Sequence, residues 1–262
     1  MRDPHVVWLK YHLETDASVS YNAPALEREY DLFSLHLANG VLMATMQQHF
    51  SSESKARSKV EEVLRAWELD NALRFEIGEL QFIFEEASVI DRDPPPPGTP
   101  QVIAVSTAIS ATSAMSATLH VTRGQYPEPP TRFKLSPDVE VMWFRYQQHL
   151  EGKEPLQSMA YFCLTVIESL VSKGKRKRAA DEYRIDWEVL DKLGDFTTTK
   201  GSQFDARKHN NDFVALSEAE ENWMREAVKI LIRRKAEYDY DPEEAHSLKL
   251  ITMAGLPKLE RN

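Results

Sequence analysis

The run Leu32-Phe33-Ser34-Leu35-His36-Leu37-Ala38-Asn39-Gly40-Val41-Leu42-Met43-Ala44-Thr45-Met46 decides how the first half of this chain is read. Phe33, Leu35 and Leu37 alternate with small or polar residues, which is the period of a half-buried strand. Asn39-Gly40 comes next, a pair that readily supplies the two positive-φ residues of a tight hairpin turn. Val41 to Met46 then returns as a second strand, so the stretch reads as an antiparallel hairpin. Upstream, Leu9, Tyr11 and Leu13 alternate with Lys10, His12 and Glu14, predicting a strand over 6–14. Downstream, Ser51 and Ser52 are cap candidates for a helix reaching about Leu73. Val60, Val63, Leu64, Trp67 and Leu73 form its apolar stripe. Glu79 to Ile90 returns to strand character, with Leu80, Phe82 and Phe84 on one face.

Two proline-rich stretches interrupt the chain beyond Ile90. Pro94-Pro95-Pro96-Pro97-Gly98-Thr99-Pro100 reads as a stiff exposed connection, because proline cannot join the inner ladder of a sheet. Ser, Thr and Ala dominate 106–118, which fits either a sheet edge or a small-residue helix, and Leu119 and Val121 read as the end of a strand. Tyr126-Pro127-Glu128-Pro129-Pro130 is the domain boundary.

Beyond it the pattern turns helical. Ser136-Pro137-Asp138 combines a cap, a proline at the first helical position and an acid near the positive end of the dipole. Val139, Met142, Tyr146 and Leu150 mark that helix. Leu156 to Val171 is apolar nearly all round and therefore central. A third helix is predicted over Ala179 to Leu193. Ser217-Glu218-Ala219-Glu220 is a capping box opening a fourth, striped by Trp223, Ala227, Ile230 and Leu231, to about Tyr238. The tail, Leu248 to Leu259, is apolar enough to pack back on the body. The fold class is α+β: residues 1–130 form a strand-rich antiparallel module with one helix, and 131–262 form a bundle of about four helices.

Composition bounds the function. Of 262 residues, 42% are hydrophobic and 28% charged, the balance of a globular protein. The apolar stretch Met159 to Ile167 is too short to span a bilayer, and no membrane partner is expected. The N-terminus opens on Met1-Arg2-Asp3-Pro4 and turns polar again by Lys10, so it carries no apolar signal-peptide core. The single cysteine, Cys163, can form no internal disulfide, which points to a reducing compartment and cytoplasmic residence. A net charge of −9 disfavours general coating of nucleic acid while leaving room for a local basic patch.

Lys173-Gly174-Lys175-Arg176-Lys177-Arg178 is such a patch, which reads first as a solvated loop at a helix C-terminus and second as a contact for RNA or DNA phosphates. Arg207-Lys208-His209 lies in the polar loop before the capped fourth helix. Arg207 could stabilise a phosphoryl charge there and His209 could act as a general acid or base. No metal site is expected. His12, His36 and His120 lack partners at ligand spacing, and the acidic cluster from Asp239 to His246 lacks the spacing of a calcium loop. With nine glycines and no phosphate-cradling motif, no cofactor is expected either. Cys163 sits in an apolar pattern, where burial disfavours the thiolate.

Three features resemble the helical HEPN superfamily: a buried helix ending Val166-Ile167-Glu168-Ser169-Leu170, the polar loop with Arg207-Lys208-His209, and Leu216-Ser217-x-x-Glu220-x-x-Trp223 leading the last helix. The resemblance spans Met159 to Tyr238. It implies a small helical bundle that self-associates, in a family where many members cleave RNA through an Arg-x4–6-His motif. Here His209 follows Arg207 by only two positions and His149 follows Arg145 by four, so that motif is not intact. The resemblance therefore implies a non-enzymatic scaffold, accessory to a defence or stress system, with a protein partner or a second copy. An RNA-directed nuclease using Arg207, His209 and the basic loop is the alternative, and small-molecule binding between the sheet and the bundle is a third reading.

Overall fold

The computed structural model describes residues 3–75, 78–93, 120–169, 176–200 and 215–259. The prolines from Pro94 to Pro100, the segment from Val102 to Leu119, Lys173, Lys175, Arg207 and His209 lie outside the described residues. The protein is α+β and divides into two compact units, Met1–Pro130 and Thr131–Asn262.

The first unit is built on a five-stranded antiparallel sheet. Its strands are β1 (Pro4–Glu14), β3 (Leu26–Glu29), β4 (Phe33–Ala38), β5 (Val41–Met46) and β6 (Gln81–Asp91), in the order β3-β4-β5-β1-β6. Two short strands, β2 (Val19–Tyr21) and β7 (Val121–Arg123), pair in parallel beside it. The β4–β5 turn has Asn39 at φ 51° and Gly40 at φ 74°, the positive values a tight hairpin of this hand requires. Phe33, Leu35 and Leu37 are buried opposite Met46, Ala44 and Leu42.

The β1–β6 ladder holds two bulges, at Val7 and at Glu85. Each inserts one residue, and each moves the inward face by one position. Val6 and Leu9, three apart, therefore both face the core, as do Phe84 and Ala87. A strict period of two does not describe these strands.

Helix α1 (Glu53–Arg74) supplies the other half of this core. Ser52 caps it, its Oγ accepting from the Lys55 N–H at 3.4 Å. Ala56, Val60, Leu64 and Trp67 join Leu9, Tyr11, Leu35, Leu42 and Phe82 in a single cluster. One sheet face closed by one helix is the smallest arrangement that buries both apolar surfaces.

The second unit contains α2 (Pro137–Leu150), α3 (Leu156–Ser169), α4 (Arg176–Glu182), α5 (Trp187–Thr199) and α6 (Glu218–Tyr240). Ser136 caps α2 through the Val139 N–H, and Ser217 with Glu220 forms the complete capping box of α6. Helix α3 lies against α2, α5 and α6, with Met159, Ala160, Cys163, Leu164 and Ile167 buried.

The single helix predicted over Ala179 to Leu193 is instead two. Arg184 takes φ 53°, Ile185 bridges in parallel to Ile251 of the tail, and Asp186 restarts the chain as the cap of α5. The tail forms this corner: the Ile251 N–H donates to the Arg184 carbonyl at 3.0 Å, and the Asp186 N–H donates to the Ile251 carbonyl at 2.7 Å. Arg234 of α6, buried, then donates to the carbonyls of Tyr183, Arg184 and Lys249 at 2.6, 2.7 and 2.7 Å. These bonds hold a left-handed residue that an arginine would otherwise avoid. Among the described residues, no helix is long and apolar enough to cross a membrane.

Candidate ligand cavity of the first unit

Helix α1 carries its buried stripe through Val60, Leu64 and Trp67, and the next position in that register is Asn71. Asn71 is 3% exposed, and neither its Oδ1 nor its Nδ2 has a hydrogen-bond partner among the described residues. A buried amide left unpaired costs about 1–3 kcal/mol, so such groups are rare in folded proteins. Asn71 lines a cavity of about 300 Å³ at the C-terminal end of α1.

The other walls come from distant parts of the unit. Arg74 and Phe75 complete the end of α1, Tyr21 comes from β2, Glu79 precedes β6 and Arg123 ends β7. Gln125 to Glu128 closes the remaining side. That segment, expected from its prolines to be the boundary, is the last of the first unit, which ends at Pro130, and it packs against that unit. The Trp67 indole N–H donates to the Pro127 carbonyl at 3.1 Å, the Tyr126 hydroxyl accepts from the Gly40 N–H at 3.3 Å, and Glu128 pairs with Arg28. Asn71, Glu79 and Tyr126 are buried, whereas Phe75, Gln125 and Glu128 are exposed and form the rim.

Charge in this cavity is matched pair by pair. Arg123 Nη2 donates to both Glu79 carboxylate oxygens, at 2.8 and 3.0 Å, and its guanidinium lies 5.2 Å from the Phe75 ring centroid. Arg74 meets the buried carboxylate of Asp70 at 2.5 Å. Tyr21 and Tyr126 stack with ring centroids 5.1 Å apart. Burial pushes the Tyr21 hydroxyl up to about 12, so it remains a donor, and it reaches the Glu79 carbonyl at 3.3 Å. The cavity thus offers aromatic walls and two neutralised ion pairs, with the buried Asn71 amide beside it. Among its described lining residues, none is arranged as a nucleophile with a base.

The sequence-predicted residues fall elsewhere. Arg176, Lys177 and Arg178 open α4 in the second unit. Arg176 is an internal tie: its Nε meets Glu168 at 2.7 Å, its Nη1 meets Asp191 at 3.0 Å, and its guanidinium covers Gly194. Lys177 lies 5.3 Å from the Trp187 ring centroid. Arg145 pairs with Glu154, and His149 shares a 3.1 Å contact with the Glu154 carbonyl. Cys163 is fully buried and its thiol is pushed up to about 12. Among the described residues, no group of three or more His, Cys, Asp or Glu side chains is placed to hold a metal.

Sequence reasoning missed Asn71, Glu79 and Arg123. One signal was present: an asparagine at the apolar register position after Trp67. The convergence of Glu79 and Arg123, 44 residues apart, has no local signature. Comparison of the chain with protein-family models, with curated proteins and with solved structures finds no match.

Proposed function

We propose that this is a non-enzymatic binding protein whose first unit holds a small polar molecule in the Asn71 cavity. The observation that carries the reading is a cavity of about 300 Å³ walled by the stacked Tyr21 and Tyr126 rings and by the Glu79–Arg123 ion pair. Ligand pockets combine mostly apolar walls with a few placed polar groups, and 300 Å³ lies at the small end of their usual range. The helical unit, in the same reading, is a HEPN-like scaffold for a protein partner or a second copy, in the cytoplasm. Val141 and Phe144, both exposed on α2, support an interaction role there.

The test is thermal melting of the full chain against a panel of small metabolites, in wild type and Asn71→Leu. A panel member that binds raises the melting temperature of wild type by several degrees and leaves the variant unmoved. A panel flat for wild type at millimolar concentration argues against a ligand at this site. Light scattering addresses the scaffold reading separately, since a strict monomer at micromolar concentration removes self-association from it.

A further inference from the structure

The second unit carries a groove of its own, independent of the cavity in the first. About 520 Å³ opens between α6 and the tail that follows it. Ile230, Arg233, Arg234 and Glu237 form the α6 wall, sharing one helix face at spacings of three and four. The opposite wall comes from residues 248–255, where Leu248, Leu250 and Ile251 supply apolar surface. Leu250 is 43% exposed although it lines the groove.

Charge is unevenly spread along this lining. The Glu237 carboxylate is shared by two guanidiniums, with Arg233 Nη2 at 3.4 Å and Arg234 Nε at 3.0 Å. The backbone of Lys249 joins the same end, its carbonyl accepting from Arg234 at 2.7 Å. Lys249 is exposed, and its ammonium, on a flexible four-carbon stem, has no partner among the described residues. Three cations therefore accompany one carboxylate, in a chain whose net charge is −9. Ile230 lies one helical turn from that positive end. We infer that the groove takes an aliphatic monocarboxylic acid, its carboxylate at Arg233 and Lys249 and its chain over Ile230 and Leu250.

Other ligand classes match the lining less well. A cation meets an excess of like charge. A small inorganic anion leaves Leu250 and Ile230 uncovered, whereas an aliphatic chain takes them out of water. No aromatic ring is among the described lining residues, so a planar ligand gains nothing by stacking. A peptide ending in a free carboxylate would bring amides over the same floor, where Thr252 is the only neutral polar side chain. The Arg233 side chain is 38% exposed, so a carboxylate reaches it without full loss of hydration. A volume of about 520 Å³ is in the usual range of small-ligand pockets.

The probes are octanoate, 1-octanol, octylammonium, acetate and a short peptide ending in leucine, each titrated calorimetrically into the full chain. Octanoate binds, 1-octanol binds roughly 10-fold more weakly, and acetate and octylammonium do not bind. Added salt weakens octanoate and leaves 1-octanol unmoved. Lys249→Met, at an exposed position, retains the far-ultraviolet circular dichroism of wild type and lowers octanoate to the affinity of 1-octanol. Leu250→Asp sets a carboxylate in the groove and abolishes octanoate binding. Asn71→Leu leaves octanoate affinity unchanged, which separates this groove from the cavity of the first unit. Absence of octanoate binding overturns the assignment, as does equal affinity for octanoate and 1-octanol. Octanoate binding that Lys249→Met and Leu250→Asp leave intact, or that Asn71→Leu removes, places the acid elsewhere and overturns it too. Tighter binding of the peptide than of octanoate replaces the free acid with a protein C-terminus and also overturns it.

Discussion

Two long helices each bury a strongly polar side chain, and the two side chains have opposite fates. Arg234, on α6, donates to Glu237 and to the carbonyls of Tyr183, Arg184 and Lys249. Asn71, on α1, is as deeply buried, and its side chain donates to nothing among the described residues. Desolvation is costly in both places. In the second unit the cost is offset by four bonds that fix an otherwise strained corner. In the first, no bond among the described residues offsets it. Burial of a polar group is thus informative only alongside its partners: a satisfied one clamps the fold, and an unsatisfied one leaves capacity for something else.

The sharpest way to break this comparison is Arg234→Met. It takes the Arg234 donor from three carbonyls around Arg184, of which that of Arg184 keeps the Ile251 N–H, and we expect a loss of about 3–5 kcal/mol in urea unfolding. A loss below about 1 kcal/mol would mean that the corner does not depend on the clamp. Next is Arg123→Met, which strips the buried Glu79 carboxylate of its counter-ion. A loss of about 2 kcal/mol is expected, discounted because the Arg123 side chain is partly exposed.

Asn71→Leu goes the other way. Replacing an unpaired amide with a side chain of similar volume should stabilise the ligand-free protein by about 1–2 kcal/mol, read as a rise in melting temperature. Destabilisation of ordinary size would show that Asn71 is paired in solution. Gain of stability with loss of binding is the trade-off expected where a site has been kept at the expense of the fold.

The smallest effect is a pH dependence at Glu68, whose position between Arg234 and Asn71 in this scheme is intermediate. Its Oε1 accepts one bond, from the Phe82 N–H at 2.6 Å, and burial pushes its carboxyl up to about 7. The folded state therefore holds the proton more tightly than the unfolded state, whose carboxyl titrates near 4.5. Stability associated with this group is fully present below about pH 4.5 and declines as pH rises through 7. Glu68→Gln keeps the acceptor and removes the titration. It should be more stable than wild type by on the order of 1 kcal/mol at pH 8, with the gain fading towards pH 4. Melting curves that stay parallel across that range would exclude the effect.

Much of the secondary structure was legible locally. Alternation around Asn39-Gly40 specified the hairpin, and Ser52, Ser136 and Ser217 marked helix starts that the structure retains. The failures share a cause. Strands β2 and β3 are only three and four residues long, too short for a period to emerge, and β2 finds its partner in β7 about a hundred positions away. The bulges at Val7 and Glu85 exist only in the pairing of two strands. The break between α4 and α5 had a cap residue, Asp186, within its reach. Docking of Ile251 turned that residue from a mid-helix aspartate into a cap.

By itself, then, the chain's sequence determined the α+β class, the Asn39-Gly40 hairpin and the caps of the long helices. These depend on neighbours within one turn or one strand. Tertiary structure alone decided that Asn71, one helical turn beyond Trp67 on an apolar face, would be buried beside a cavity without a hydrogen-bond partner among the described residues. It alone brought Tyr21, Glu79, Arg123 and Tyr126 to that cavity's walls. Hydrogen-bond satisfaction depends on atoms brought together from distant parts of the chain, and no local pattern encodes it.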